Sequence, residues 1–172
     1  GLDGGALVAG DGLGDVALGA IADSLPLTAQ LNGRRFLVPG NHDRVSPATQ
    51  SRAAVARFMP LYEQTGWTVL AEVVEGTRQG VRLLASHYPY SGDTPGTDRP
   101  TSHRPVDHGI PLLHGHTHDR RNGPVGHQFH VGVDAFDYAP IPFALVDAWL
   151  SDLAGRRRDG QEAAPAVRSE TE

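Results

Sequence analysis

Leu113-His114-Gly115-His116-Thr117-His118-Asp119-Arg120 places three histidines within five residues. The glycine lets the backbone turn tightly where a strand would end, so His116 and His118 can point at one small object. A metal ion is the simplest such object. A His-x-His pair alone is a weak motif, so the remainder of the chain has to supply its companions.

Three earlier blocks do so: Leu13-Gly14-Asp15-Val16-Ala17-Leu18-Gly19, Val38-Pro39-Gly40-Asn41-His42-Asp43-Arg44 and Ser86-His87-Tyr88-Pro89-Tyr90. Each puts a polar ligand type just after an apolar run. In the order Gly-Asp, Gly-Asn-His-Asp, a later His and Gly-His-x-His, the blocks resemble the calcineurin-like metallophosphoesterase family, most closely its small prokaryotic and phage members. The resemblance covers residues 6 to 150, approximately. It implies an α/β (α+β) fold, a four-layer sandwich of two packed, mainly β sheets flanked by helices. It also implies a metal-dependent hydrolase of a phosphodiester or phosphomonoester, with a binuclear site of manganese, iron or zinc. Carried over residue by residue, Asp15 is the bridging carboxylate, Asn41, His87 and His116 complete one ion, and His118 binds the other. His42 is the general acid that protonates the leaving oxygen, with Asp43 holding its ring.

Asp11 competes with Asp15, because it follows the better strand, Ala6 to Ala9, and also sits in a Gly-Asp pair. Asp15 is preferred because Leu13 to Gly19, Leu31-Asn32-Gly33-Arg34 and the distance to Asn41 match the small family members. The other aspartate then reads as a turn residue. The family opens with a strand ending in Asp-x-His, and nothing before Asp15 has that form. Either the opening segment lies upstream of this chain or half of the binuclear site is lost. Two classes of function therefore stand side by side: a metallophosphoesterase, and a degenerate domain that binds a metal or a phosphorylated partner without turnover. An Asp-x-His in frame upstream of Gly1 discriminates them.

The 172 residues suffice for one domain with a real core. There is no cysteine, so disulfides and thiolate metal sites are excluded and any ligands must be nitrogen or oxygen. All 15 basic residues are arginine, and against 20 acidic residues the net charge is −5. That balance denies long duplex nucleic acid an overall positive field and leaves a small phosphoester, such as a nucleotide, as the expected substrate. Arg44, Arg99 and Arg104 are candidate phosphate clamps, since guanidinium matches phosphate oxygens in a two-pronged geometry. No apolar run is long enough for a membrane span and no signal-peptide pattern opens the chain, so a cytoplasmic protein is expected. No Walker-type loop or nucleophile elbow occurs.

Periodicity supplies the elements. Strands are expected at Ala6 to Ala9, Arg35 to Val38, Thr68 to Val74, Gly80 to Ala85, Ile110 to Leu113 and Gln128 to Val133, with Glu75 to Arg78 as the turn joining the third and fourth. Helices are expected at Ala20 to Asn32, from a Ser46-Pro47 start to Tyr62, and at Pro142 to Leu153. Ser91 to Gly109 reads as a functional or mobile loop. Residues 1–153 are expected to form one N-terminally incomplete phosphoesterase domain, and 154–172, where composition shifts to arginine and small polar residues, a disordered tail. His103, His108, His114, His127 and His130 are given surface or strand positions and no ligand role.

Overall fold

Short apolar runs, closed off by glycine, proline and polar residues, make the strands of this chain. The computed structural model describes residues 25–92, 102–120 and 123–157 in full, and residues 5–9 and 158 by backbone alone. In chain order the elements are β1 (Gly5–Ala9), β2 (Arg34–Val38), α1 (Arg52–Gln64), β3 (Trp67–Val69), β4 (Val73–Arg78), β5 (Val81–Ser86), β6 (Leu112–His114), β7 (Pro124–Val125), β8 (Gln128–His130), a 3-10 turn (Val133–Ala135) and α2 (Phe143–Arg158). The fold is mixed α+β, with two sheets and helices.

The first sheet has the order β1-β2-β3 and both its pairings are parallel. The second has the order β4-β5-β6-β8-β7. Its central strands β5, β6 and β8 run parallel, while β4 and β7 close the edges antiparallel. Parallel strands end at the same side of a sheet, so the segments after β5, β6 and β8 emerge next to one another. Ligand-binding residues in open α/β sheets lie in that position.

Leu25, Leu37, Val45, Phe58, Tyr62 and Trp67 form a buried apolar cluster beneath the first sheet's connections. Leu37 comes from β2, Phe58 and Tyr62 from one face of α1 at i, i+4 spacing, and Trp67 from the start of β3. Trp67 also donates its indole N–H to Thr28 Oγ1 at 2.8 Å, which pins the helical residues 25–28 to the core.

Several expected boundaries move. Helix α1 starts at Arg52, capped by Ser51, whose hydroxyl accepts from the Ala54 N–H at 3.2 Å. Ser46, the expected cap, is instead buried within a run of turns, where its carbonyl accepts from the Gln50 N–H at 3.0 Å. The stretch from Thr68 to Val74 is two strands, one in each sheet, interrupted at 70–72. Glu75 to Arg78 are not the turn but the end of β4, paired with β5 in the register Glu75↔Leu84 to Arg78↔Val81. The turn is Gln79-Gly80, with φ of 50 and 75, the two-residue hairpin geometry that matches strand twist. Within the described part of the helix expected over Ala20 to Asn32, α-helical residues stop at 28 and turns follow. Leu25 is buried there, while Leu27 and Leu31 are exposed.

The chain divides into two compact units, one ending at Ile141 and one beginning at Pro142. The second contains α2, whose buried residues Val146, Trp149 and Leu150 follow i, i+3, i+4 spacing. Asp152 and Arg156 form an i,i+4 ion pair at 2.8 Å on this helix. The boundary expected after residue 153 thus falls inside a helix, because alanine and arginine continue a helix readily even where hydrophobicity has ended. Residues 159–172 lie outside the described residues. No helix among the described residues is long and apolar enough to cross a membrane.

Candidate functional site

Three connections deliver the site, and each follows a strand. After β2 the chain makes a tight turn at Gly40-Asn41-His42-Asp43, closed by the Asp43 N–H donating to the Gly40 carbonyl at 3.1 Å. The Asp43 carboxylate returns the interaction, accepting from the Gly40 N–H at 2.7 Å and from the Tyr62 hydroxyl at 3.5 Å. Burial holds this carboxyl above its ordinary range, opposed by the Gly40 and Tyr62 hydrogen bonds and by the His42 charge. Asp43 therefore ties the turn to the α1 core, and it reaches His42 through charge. Thr49 Oγ1, donating to the Asn41 carbonyl at 2.9 Å, steadies the other side of the turn.

In the second sheet, Ser86 pairs with His114 across β5 and β6, so the residues after them, His87 and Gly115, lie side by side. The Gly115 N–H donates to the His87 carbonyl at 3.1 Å, which extends the ladder one step. Beyond Gly115 the chain bends sharply, with φ of 68 at His116 and 47 at His118, left-handed values uncommon outside glycine.

Asn41, His87 and His116 come together. His87 Nε2 lies 2.6 Å from Asn41 Oδ1 and 3.1 Å from His116 Nδ1, and His116 Nδ1 lies 3.2 Å from Asn41 Oδ1. One carboxamide oxygen from the first sheet and two imidazole nitrogens from the second thus form a small triangle. Ligands in neighbouring positions on an octahedral ion bound at ~2.0–2.2 Å lie about 3 Å apart, so the spacing suits a single ion. Nitrogen and oxygen donors without thiolate suit manganese, iron or zinc.

His87 is fully buried. Its pKa is pushed down to about 3, first by burial and then by the charges of His116, His42, His118 and His114. Near neutral pH the ring is uncharged, the form in which imidazole binds metals. Tyr88 packs against both imidazoles, with ring centroids 4.9 Å from His87 and 4.8 Å from His116.

The other expected site residues are placed differently. His42 is exposed in the turn beside Asn41. His118 Nδ1 lies 3.0 Å from Asp134 Oδ2, and the charge of His118 reaches His87. Asp15, its competitor Asp11 and Arg99 lie outside the described residues. Arg44 and Arg104 are half-buried. Among the described residues no three His, Asp or Glu side chains by themselves form a metal-holding group, and the triangle owes its third donor to an amide.

Sequence reasoning missed Asp134, which lies beyond β8 in the 3-10 turn Val133–Ala135. The carboxylate at the end of an alternating stretch was a visible signal, but no motif marks it. It also missed the pair of buried rings beneath the site. His114 and His130 are register partners on β6 and β8, their centroids 5.4 Å apart. Burial drives the His114 pKa down to about 4, against the Gly115 carbonyl at 2.9 Å from Nδ1, with His130 and His116 lowering it further. A Cβ at Gly132 would lie 2.5 Å from His130 Nε2, so a larger residue there would force that ring to shift.

No family model matches the chain. The Gene 66 protein of Mycobacterium phage D29 is 37% identical over 157 residues, which cover 82% of this chain and 74% of the relative. The Gene 66 protein of Mycobacterium phage L5 is 32% identical over 139 residues, covering 72% of this chain and 64% of the relative. The chain thus spans somewhat less than two thirds of the L5 protein. Among solved structures, a protein of unknown function from Aquifex aeolicus has a similar fold, with a TM-score of 0.56 and 24% identity over 83% of this chain and 75% of that one. Neither phage name states an activity.

Proposed function

The chain belongs to the family of the mycobacteriophage Gene 66 proteins, and we propose that it is a metal-dependent phosphoesterase of the calcineurin-like type. In this reading the two sheets are the halves of a four-layer sandwich with the site at their shared edge. The observation that carries it is the triangle of Asn41 Oδ1, His87 Nε2 and His116 Nδ1, with mutual separations of 2.6 to 3.2 Å. In the metal-free chain these contacts are hydrogen bonds, and the same three atoms, one carboxamide oxygen and two imidazole nitrogens from two sheets, are the donor types a shared cation takes.

Asn41, His87 and His116 would hold one divalent ion, with Asp15 as the bridging carboxylate and His118 toward a second. Bound ions of this kind polarise a phosphoryl oxygen and lower the pKa of water so that hydroxide forms near neutral pH. The chain's own residues do the remainder. Burial keeps His87 neutral and its lone pair available. The Asp43 carboxylate and the Thr49 hydroxyl hold the turn that carries Asn41 and His42 in one geometry. His42, exposed in that turn, passes a proton to the leaving oxygen as the phosphoester bond breaks. The preferred substrate is a small phosphodiester or phosphomonoester, with nucleotides ahead of duplex DNA.

A second reading is a non-catalytic metal- or phosphate-binding domain. It is favoured by the triangle's donor set, two imidazoles and one carboxamide, which can hold one ion without the second that in-line displacement uses. Assaying the full chain with Mn(II) and bis(p-nitrophenyl) phosphate separates the two. The phosphoesterase reading expects p-nitrophenolate release that is abolished by EDTA and by His116→Ala. Mn(II) binding without release, persisting when a strand ending in Asp-x-His is supplied ahead of residue 1, would establish the second reading instead.

A further inference from the structure

We propose that Asp134 is a positioning residue for His118, fixing which nitrogen of that imidazole carries the proton. His118 Nδ1 lies 3.0 Å from Asp134 Oδ2, and an ionised carboxylate can only accept, so the contact selects the Nδ1–H tautomer. The lone pair then belongs to Nε2, which becomes the donor atom. Histidines that bind metals are commonly oriented in this way by a carboxylate on the other nitrogen.

Two further observations support an orienting role over a merely structural one. The pair is partly exposed, with side-chain exposures of 55% and 27%, and a polar contact so placed adds little stability. Backbone strain also concentrates on both partners' turns. Of the five non-glycine residues with positive φ among those described, four are His116, His118, Asp137 and Tyr138. Left-handed conformations at such residues persist where surrounding structure holds them. The Asp134 turn is held by the Tyr138 N–H donating to the Val133 carbonyl at 2.9 Å and the Phe136 N–H to the same oxygen at 3.0 Å. A strained turn on each side thus presents one partner of this directional contact.

Any consequence for an ion at His118 rests on the phosphoesterase reading, but the tautomer does not. The test is therefore long-range 15N NMR of the His118 ring in the metal-free full chain, at a pH where imidazoles are neutral. The comparison is wild type with Asp134→Leu, which removes the acceptor, and Asp134→Asn, which keeps its shape and a carbonyl oxygen. Wild type is expected as the Nδ1–H form, with Leu shifting the ring to the Nε2–H form that imidazole prefers in water and Asn retaining at least part of the Nδ1–H population. A wild-type ring already in the Nε2–H form, or a tautomer unmoved in Asp134→Leu, overturns the proposal. Mn(II) titration of the same samples separates the two levels. If ions bind, Asp134→Leu should weaken the His118 side about 10- to 100-fold. If wild type binds none while Asp134 still sets the tautomer, the phosphoesterase reading fails and this inference stands.

Discussion

At the scale of single residues, burial decides the chemistry of His87 and His114. Their pKa values are pushed to about 3 and about 4, against an ordinary 6.5, so both are neutral in the folded chain and protonated in the unfolded chain across the interval between. The unfolded state then binds more protons, and stability must fall as pH drops below 6.5 toward those values, with no contribution from either ring above it. Each ring should cost about 1.4 kcal/mol per pH unit inside its window. Asp43, held above its ordinary range, works the other way at the acid end. Urea unfolding of the metal-free chain should show a midpoint that declines from pH 7 to pH 5, and a flat midpoint would mean the rings are hydrated. A second expectation concerns proton transfer: His42→Ala should lower turnover by about 10²- to 10⁴-fold while sparing bound metal. Loss of metal with that change would make His42 a ligand. Asn41, His87 and His116 were legible as partners because their blocks follow one another in a recognisable order. Asp134 was not, because its meeting with His118 is made by two loops 16 residues apart and no local pattern encodes it. Asp43 was read as the holder of the His42 ring, yet its carboxylate closes its own turn, a contact that only coordinates reveal.

Among the elements, strands were read with more success than the turns between them. The apolar runs that became β2, β5 and β6 stood out because residues flanking them could not extend a buried strand. The hairpin was misplaced because Glu75, Gly76 and Thr77 look like turn chemistry. On an edge strand with alternating exposure those residues are tolerated, and Glu75 even forms a two-pronged ion pair with Arg82, 2.7 Å at Nη2. The turn fell to Gln79-Gly80, where positive φ is needed. Gly80→Val should therefore destabilise by roughly 1–2 kcal/mol, as expected for a left-handed residue gaining a Cβ. Thermal unfolding would read it, and no change would mean that the turn relaxes to another type. Ser51→Ala tests the observed start of α1, with an expected loss of about 1 kcal/mol from the missing cap. Ser46 could not be told from Ser51 by sequence, because each precedes a helix-compatible stretch and only the bond to the Ala54 N–H distinguishes them.

For the molecule as a whole, the central arrangement is two sheets contributing to one cluster of donor atoms. Asn41 follows a strand of the first sheet, and His87 and His116 follow neighbouring strands of the second. The order of motifs along the chain foretold such a convergence, but the division between sheets was hidden in a three-residue break after Val69, where no hydrophobic pattern changes. With a net charge of −5, duplex DNA should be retained weakly on the full chain and with little dependence on salt, since counterion release requires many basic contacts. Tight, salt-sensitive retention would redirect the substrate class to nucleic acid. The claim on which the rest depends is that Asn41, His87 and His116 share an ion, and Mn(II) titration of the full chain, followed by calorimetry beside Asn41→Ala and His116→Ala, tests it most directly. The predicted result is a saturable site in wild type that weakens by more than about tenfold in each variant, since even outer-shell changes cost about 10- to 100-fold. Absence of saturable binding in wild type, or equal affinity in both folded variants, would contradict it.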